Sequence, residues 1–295
     1  MLTLKLSEKN SDAIQGANIG SILLSSGRLT SQDMTRIVAL QEKEQILFGD
    51  AAVALGILTD EDIRVALACQ YSYPTIEAEG SSVSAELLVL REPFGTRVEC
   101  FRSIRSGLLL MGAGSLIKTI AVLSPEEGEG RTFVAANLAV VFAQLGSRTI
   151  LVDLNFRKPR VHEIFQIKNN TGASSLIIKR ALFENAIQNT SIDSLDILPS
   201  GPKPPNPLEL LSWQDTRNLV ASLKEKYDIV IIDTPAFSKT ADAMHIAALC
   251  DGSVVVALKG KTKLGPFGQL KKQMDAAGCK ILGSIVNEMQ IGKKK

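Results

Sequence analysis

Gly128-Glu129-Gly130-Arg131-Thr132 lies between a short apolar run opening at Thr119 and a segment with helical apolar spacing at Phe133, Ala136, Leu138, Val140 and Val141. A strand, a glycine loop and a helix start in this order aim several backbone N–H groups at one point. The helix N-terminus adds partial positive charge there, so the arrangement suits an anion. Gly130-Arg131-Thr132 stands where a phosphate-binding loop has Gly-Lys-Ser/Thr. In such a loop Thr132 offers a hydroxyl to a magnesium ion and the residue before it reaches the β/γ-phosphates. Two residues depart from the pattern: Pro125 replaces the first glycine, and Arg131 replaces the lysine.

Two acids extend this chemistry. The apolar run Thr149–Val152 delivers Asp153, followed by Asn155 and Arg157; the run Asp228–Ile232 delivers Asp233-Thr234-Pro235. Acids at the tips of buried parallel strands, beside a phosphate loop, stand where a doubly wound sheet collects ligands. Magnesium takes hard oxygen ligands, and Asp233 with Thr132 is the natural pair. A lone strand-end aspartate is ordinarily a turn or cap residue; two in order after such a loop are not.

The elements that must position these residues follow from the rest of the pattern. Runs at Ser253–Leu258 and Ile281–Val286 add strands, with helices expected at Lys239–Leu249 and Pro266–Ala277. Asn287 follows the last run, where its amide suits an adenine edge or a turn. Pro199–Leu211 reads as a rigid proline-rich crossing that enters a short helix. The expected fold is α/β: a doubly wound, mostly parallel sheet of P-loop NTPase type over 86–295, preceded by a small all-helical domain over 1–85.

The helical domain is a tandem repeat. Asn18–Gln41 aligns with Leu47–Gln70, matching Gly27 with Gly56 and Leu29-Thr30 with Leu58-Thr59. Thr30 and Thr59 read as helix N-caps, each with an acid three residues on (Asp33, Asp62), and the glycines as left-handed ends of the preceding helices. Four short helices are expected, with a loose Ser/Glu-rich connector from Pro74 to Gly95.

Composition sets limits. A chain of 295 residues with net charge +2 buries a proper core and gives no reason to expect nucleic acid as a partner. Its four cysteines are far apart with no CxxC pair, which favours reduced thiols in the cytosol. No signal peptide or transmembrane helix is expected; the most apolar stretch, Gly107–Leu123, is broken by glycines, Ser115 and Lys118.

The repeat resembles the N-terminal domain of type II secretion and pilus ATPases, the MshEN family, some members of which bind cyclic di-GMP. That family opens each unit with arginine, where this chain has Asn18 and Leu47. The reading is therefore a protein-docking module, with cyclic di-GMP binding not expected. From Pro93 to Asn287 the chain resembles bacterial tyrosine kinases: Asp153-Leu154-Asn155-Phe156-Arg157 is similar to their DxDxR motif, the phosphate loop to GEGK[ST], and Ile231-Ile232-Asp233-Thr234-Pro235 to their Walker B motif. The PPNPLELL segment and Asp242 also fit. Glu99, Arg102 and Arg105 match the ExxRxxR helix that joins neighbouring subunits into a ring, though the same spacing also describes an exposed helix face with local ion pairs. The whole chain resembles the EpsG type, linked to exopolysaccharide production.

The resemblance implies ATP or ADP with Mg2+ as cofactors, held by Glu127, Gly128, Glu129, Gly130, Arg131, Thr132, Phe133 and Asn287. It implies metal contacts from Thr132, Asp153 and Asp233, and catalytic roles for Arg131, Asp153, Asn155 and Asp233. Asp153 is the candidate to polarise a tyrosine hydroxyl or organise metal-bound water. It also implies a membrane-embedded polysaccharide chain-length determinant as partner, and a cytoplasmic location at the inner face of the plasma membrane. Asn155 replaces the family's second aspartate. The chain ends NEMQIGKKK without the family's tyrosine cluster, so tail autophosphorylation is not expected; Tyr71, Tyr73 and Tyr227 read as packing or turn residues. Three functions follow in order: a tyrosine kinase, a nucleotide-dependent assembly switch, and a positioning ATPase of the ParA/MinD kind. The last is disfavoured by Glu126, where that group carries its signature lysine.

Overall fold

The computed structural model describes residues 18–70, 84–111 and 117–288; Tyr71, Tyr73 and the tail from Met289 lie outside them. The chain divides into two compact units, Met1–Glu79 with Leu90–Gly95, and Gly80–Val89 with Thr96–Lys295.

The first unit holds helices Ile19–Ser25, Ser31–Glu44, Phe48–Ala54 and Asp60–Gln70. Both repeats start their second helix alike. The Thr30 side chain accepts from Asp33 N while Asp33 accepts from Thr30 N, and Thr59 with Asp62 repeats the exchange at 2.9 and 3.2 Å. Gly27 (φ 73°) and Gly56 (φ 65°) supply the left-handed turns between each helix pair. Leu23, Leu29, Ile37, Ala51, Ala52, Leu58 and Ala66 form its core, drawn from equivalent faces of the two repeats.

The second unit is built on seven strands: β1 (Thr119–Leu123), β2 (Thr149–Asp153), β3 (Gln188–Asn189), β4 (Leu195–Leu198), β5 (Ile229–Asp233), β6 (Gly252–Leu258) and β7 (Ile281–Asn287). Their order is β3-β4-β2-β5-β1-β6-β7, parallel throughout except for the β3/β4 pair. β1, β2 and β5 are buried along their whole length, as continuous β-branched runs covered on both faces must be. Helix Arg131–Ala143 packs behind this centre with every residue but Phe133 buried, so its core contact is wider than the single apolar stripe expected. Helix Thr96–Met111 joins it through an edge-to-face contact of Phe101 with Phe133, centroids 5.9 Å apart.

Three expectations need correction. The helix at Lys239–Leu249 is instead a 3-10 turn, Phe237–Lys239, and a shorter helix, Asp242–Ala247. The N–H groups of Phe237 and Ser238 bond outward to the carbonyls of Ser124 and Pro125 (both 3.0 Å), which ties this segment to the phosphate loop instead of to a helix. Asn287 does not follow the last strand but is its final residue. The helix expected at Pro266–Ala277 begins earlier, at Leu264, with Pro266 in its first turn.

Candidate nucleotide site

The sheet order brings the two strand-tip acids together. β2 and β5 are neighbours in register, with Asp153 opposite Asp233, and β1 on the other side of β5 leads directly into the loop. The loop bends through Gly128 (φ 73°) and Gly130 (φ 95°), and helix Arg131–Ala143 then opens with no side-chain cap. The first N–H groups of that helix are thus left for an outside acceptor. At Gly130 a side chain is strained by the positive φ, and a Cβ would lie 2.1 Å from Asn287 Nδ2, which would have to move away. Asn287 donates that amide to the Glu129 carbonyl at 3.1 Å.

Thr132 donates its hydroxyl to Asp233 Oδ2 at 2.7 Å. The other oxygen, Asp233 Oδ1, is buried with no partner. Burial raises the Asp233 carboxyl to about 6, against the pull of Arg131 and the Thr132 hydroxyl. An unpaired buried carboxylate oxygen beside a threonine hydroxyl fits a hard divalent cation. Magnesium commonly binds through one or two carboxylates plus phosphate oxygens, and among the described residues no cluster of three or more His, Cys, Asp or Glu competes for the role.

Asp153 is at the site but is differently occupied. Its Oδ1 accepts from Asn155 N (3.0 Å), and its Oδ2 accepts from Arg160 N and Val161 N (3.1 and 3.2 Å). Burial and the nearby Asp233 charge raise its pKa well above the ordinary range. These bonds fold the segment after β2 back over the strand tip. Asn155 closes the same turn, donating to Lys158 O at 2.9 Å and accepting from Lys158 N at 3.2 Å. Arg157 leaves it toward Asp242, a fork-to-carboxylate pair at 2.7 and 3.1 Å.

Arg131 folds under the loop. Its Nε donates to Thr234 O (2.9 Å), and its Nη1 to Glu126 O (2.9 Å) and the Ser124 hydroxyl. Desolvation lowers its pKa, opposed by Asp233, Glu129 and Glu127. Glu129 is fully buried, its carboxylate accepting from Glu126 N at 2.8 Å and from the Thr262 hydroxyl; it shapes the loop from inside. Glu127 instead pairs with Lys158 at the surface, at 2.8 Å. Sequence reasoning missed Lys261, which donates to the carbonyls of Glu127 and Gly128 at 3.0 and 3.4 Å, and Lys239. Neither falls in a motif, and only the fold brings them to the loop.

Gly128, Gly130, Arg131, Thr132, Asn155 and Asn287 share one cleft of about 540 Å³, within the usual range for a small-molecule site. The helix residues Glu99 and Arg102 pair with each other, and Arg105 donates to Val141 O at 2.6 Å. Tyr227 donates to Asp196 Oδ2 at 2.7 Å just before β5, at the opposite end of that strand from Asp233. All four cysteines are free thiols, and no described helix is long and apolar enough to cross a membrane.

Comparison with known proteins agrees with this geometry. A family model described as an AAA domain matches residues 117–265. The chain is 37% identical to the tyrosine-protein kinase YwqD of Bacillus subtilis over 72% of its own length and 90% of that protein's. Among solved structures it is similar to the kinase domain of Escherichia coli tyrosine kinase ETK (TM-score 0.69, 25% identity, 74% of this chain and 85% of that one). A more distant likeness is to the septum site-determining protein MinD of Pyrococcus horikoshii, complexed with Mg-ADP (TM-score 0.52, 25% identity, 60% of this chain and 72% of that one). With its glycine loop, paired strand-tip acids and kinase relatives matched along most of their length, the chain belongs to the bacterial tyrosine-protein kinase family.

Proposed function

We propose that this chain transfers the γ-phosphoryl group of Mg-ATP to protein tyrosine, in the control of exopolysaccharide chain length and export. One observation carries the reading: the unpaired Asp233 oxygen beside the Thr132 hydroxyl, at the mouth of an uncapped helix. When bound, Mg-ATP supplies the transferable group and the cation that neutralises its charge. Thr132 and Asp233 would hold the metal, and the N–H groups of Gly128 to Phe133 the phosphates. Asp153 acts by positioning, because its oxygens fix the turn that carries Asn155 and Arg157. Asn287 stands at the rim, next to Gly130, where a base edge is to be met.

The acceptor tyrosine is supplied by another chain or by residues outside those described, since Tyr227 is bonded at the far end of β5. In the EpsG-type reading the partner is a membrane-embedded chain-length determinant, which would keep this chain cytoplasmic at the inner face of the plasma membrane. Copies would form a ring through the helix bearing Glu99, Arg102 and Arg105. The MshEN-like repeat serves as a protein dock; the absence of arginine at Asn18 and Leu47 supports this over cyclic di-GMP binding.

A second reading, a nucleotide-dependent assembly switch with little transfer, is favoured by Asn155 in place of an acid and by the inward fold of Arg131. Titration with ATP and ADP, with and without magnesium, beside a phosphotyrosine assay of wild type and Asp233→Ala, separates the two. Phosphotyrosine that is lost in Asp233→Ala supports the kinase; equal background in both, with ATP still bound, supports the switch.

A further inference from the structure

We propose that Lys239 is the cation that meets the terminal phosphate of the nucleotide, taking over the task a loop lysine performs elsewhere in phosphate-loop proteins; this rests on the kinase reading above. The other cations around the loop are engaged. Arg131 occupies the lysine position, but its Nε and Nη1 hold Thr234 O, Glu126 O and Ser124. Reaching outward would break bonds that keep the loop folded. Lys261 is held by loop carbonyls. Arg157 is forked onto Asp242, Lys158 is paired with Glu127, and Arg160 with Glu86. Arg97 also has a partner.

Lys239 differs from all of these. It lines the cleft together with Gly128, Gly130 and Thr132, it is exposed, and its ammonium has no hydrogen bond or ion pair among the described residues. It stands six residues beyond Asp233, at the end of the 3-10 turn whose N–H groups bond to Ser124 O and Pro125 O. That anchor fixes its backbone at the opening end of the loop, while Asn287 lies against Gly130 and Glu129 at the closing end. A triphosphate lying along the loop with its base toward Asn287 brings its last phosphate to the Lys239 end. A mobile ammonium on a flexible stem suits that contact, because it acts as a point charge and needs no fixed geometry. Without the terminal phosphate its ammonium is left with the through-space attraction of Glu127, whose pKa is held down first by Lys158 and, less, by Lys239.

The test compares Mg-ATP with Mg-ADP by calorimetry on the full chain, for wild type, Lys239→Gln and Lys239→Arg. A charge-assisted contact to the third phosphate predicts that Lys239→Gln weakens Mg-ATP about tenfold while Mg-ADP changes less than about twofold. Lys239→Arg should keep most of the ATP affinity. Equal weakening of both nucleotides, or no change in either, overturns the inference while leaving the kinase reading intact. If the wild-type chain binds neither nucleotide, the kinase reading fails and this inference goes with it. Melting temperatures without nucleotide should agree closely for all three proteins, since Lys239 is exposed and makes no hydrogen bond or close ion pair among the described residues.

Discussion

Thr132 and Asp233 meet at 2.7 Å through one oxygen of the carboxylate, while the other, also buried, has no hydrogen-bond partner among the described residues. In the site proposed above this pair would supply two of the cation's oxygen ligands, and its structural and metal-binding roles are separable by mutation. Thr132→Val removes the one side-chain donor to Asp233 among the described residues and leaves a buried charge short of a partner, at a cost of about 1–3 kcal/mol. In a unit of this size that lowers the melting temperature by roughly 2–4 °C per kcal/mol. Thr132→Ser should restore both stability and metal response. Calorimetry with and without Mg2+ checks the second role: the magnesium-dependent gain in ATP affinity should vanish in Thr132→Val and return in Thr132→Ser. A full magnesium effect in the valine variant would remove Thr132 from the site.

Gly130 tests whether the loop shape is what binds. Its φ of 95° and the Asn287 amide at 2.1 Å from any added Cβ act together. Gly130→Ala should cost about 1–2 kcal/mol of backbone strain plus the clash, and should abolish ATP binding. Gly260→Ala is the control, since Gly260 has φ 75° with nothing within 4 Å of its added Cβ. It should pay the strain alone, with a small loss of melting temperature and unchanged ATP affinity by titration.

Much of this site was legible in the residues themselves, and the reason is local. A glycine loop between a β-branched run and an apolar helix uses only neighbours in sequence, and so do the Thr30/Asp33 and Thr59/Asp62 boxes. The strand-tip acids were legible because buried parallel strands read as continuous apolar runs. What stayed hidden depends on pairings across the sheet. β3 and β4 are too short, at two and four residues, to carry a period, and the side chains of Asp196 and Tyr227 meet only because β4 and β5 both flank β2. The inward fold of Arg131 was hidden too: Ser124 and Glu126 lie in its own loop, but Thr234, the acceptor of its Nε, arrives only when β5 pairs with β1. A basic residue next to a phosphate loop reads as facing the ligand, and here two of its nitrogens face the protein.

Asp251 gives a pH-dependent test away from the cleft. It accepts from the N–H groups of Lys118 and Thr119, both at 2.9 Å, at the start of β1, and pairs with Lys224. Burial alone would raise its pKa, but the Lys224 ammonium and the two N–H groups outweigh this and hold it below the ordinary carboxylate range. A depressed folded-state pKa means stability that is present above the unfolded value of about 4 and lost as the pH falls through the folded one. Asp251→Asn keeps an acceptor for the N–H pair but loses the charge opposite Lys224. At pH 7 it should cost about 1 kcal/mol, discounted for partial exposure. Urea unfolding at a series of pH values should show the gap between variant and wild type closing below about pH 4. A gap that persists unchanged there would mean the carboxylate charge is not what matters.

Asn155→Asp installs the acid expected at this position from the resemblance to the DxDxR motif, and the structure says what that exchange must overcome. Asn155 uses both ends of its amide: the oxygen accepts from Lys158 N, and the nitrogen donates to Lys158 O. A carboxylate keeps the first bond but sets its second oxygen against the Lys158 carbonyl. The turn then has to open, which turns that oxygen into the cleft that Asn155 already lines. It also adds a negative charge to a site where Asp153 and Asp233 are both buried, and where burial and the Asp233 charge already raise the cost of ionising Asp153. A unit charge about 4 Å away is worth roughly 4 kcal/mol at an effective dielectric of 20, before desolvation is counted. Without ligand, then, the variant should melt below wild type. With a divalent cation present the sign reverses, because the added carboxylate and the cation attract. The Mg2+ concentration that half-saturates ATP binding should fall by about tenfold, a fraction of that Coulomb scale. Thermal shift with magnesium titrated at fixed ATP reads both effects in one experiment. A lower melting point with no change in magnesium demand would place residue 155 outside the metal's reach and leave Thr132 and Asp233 to hold it alone.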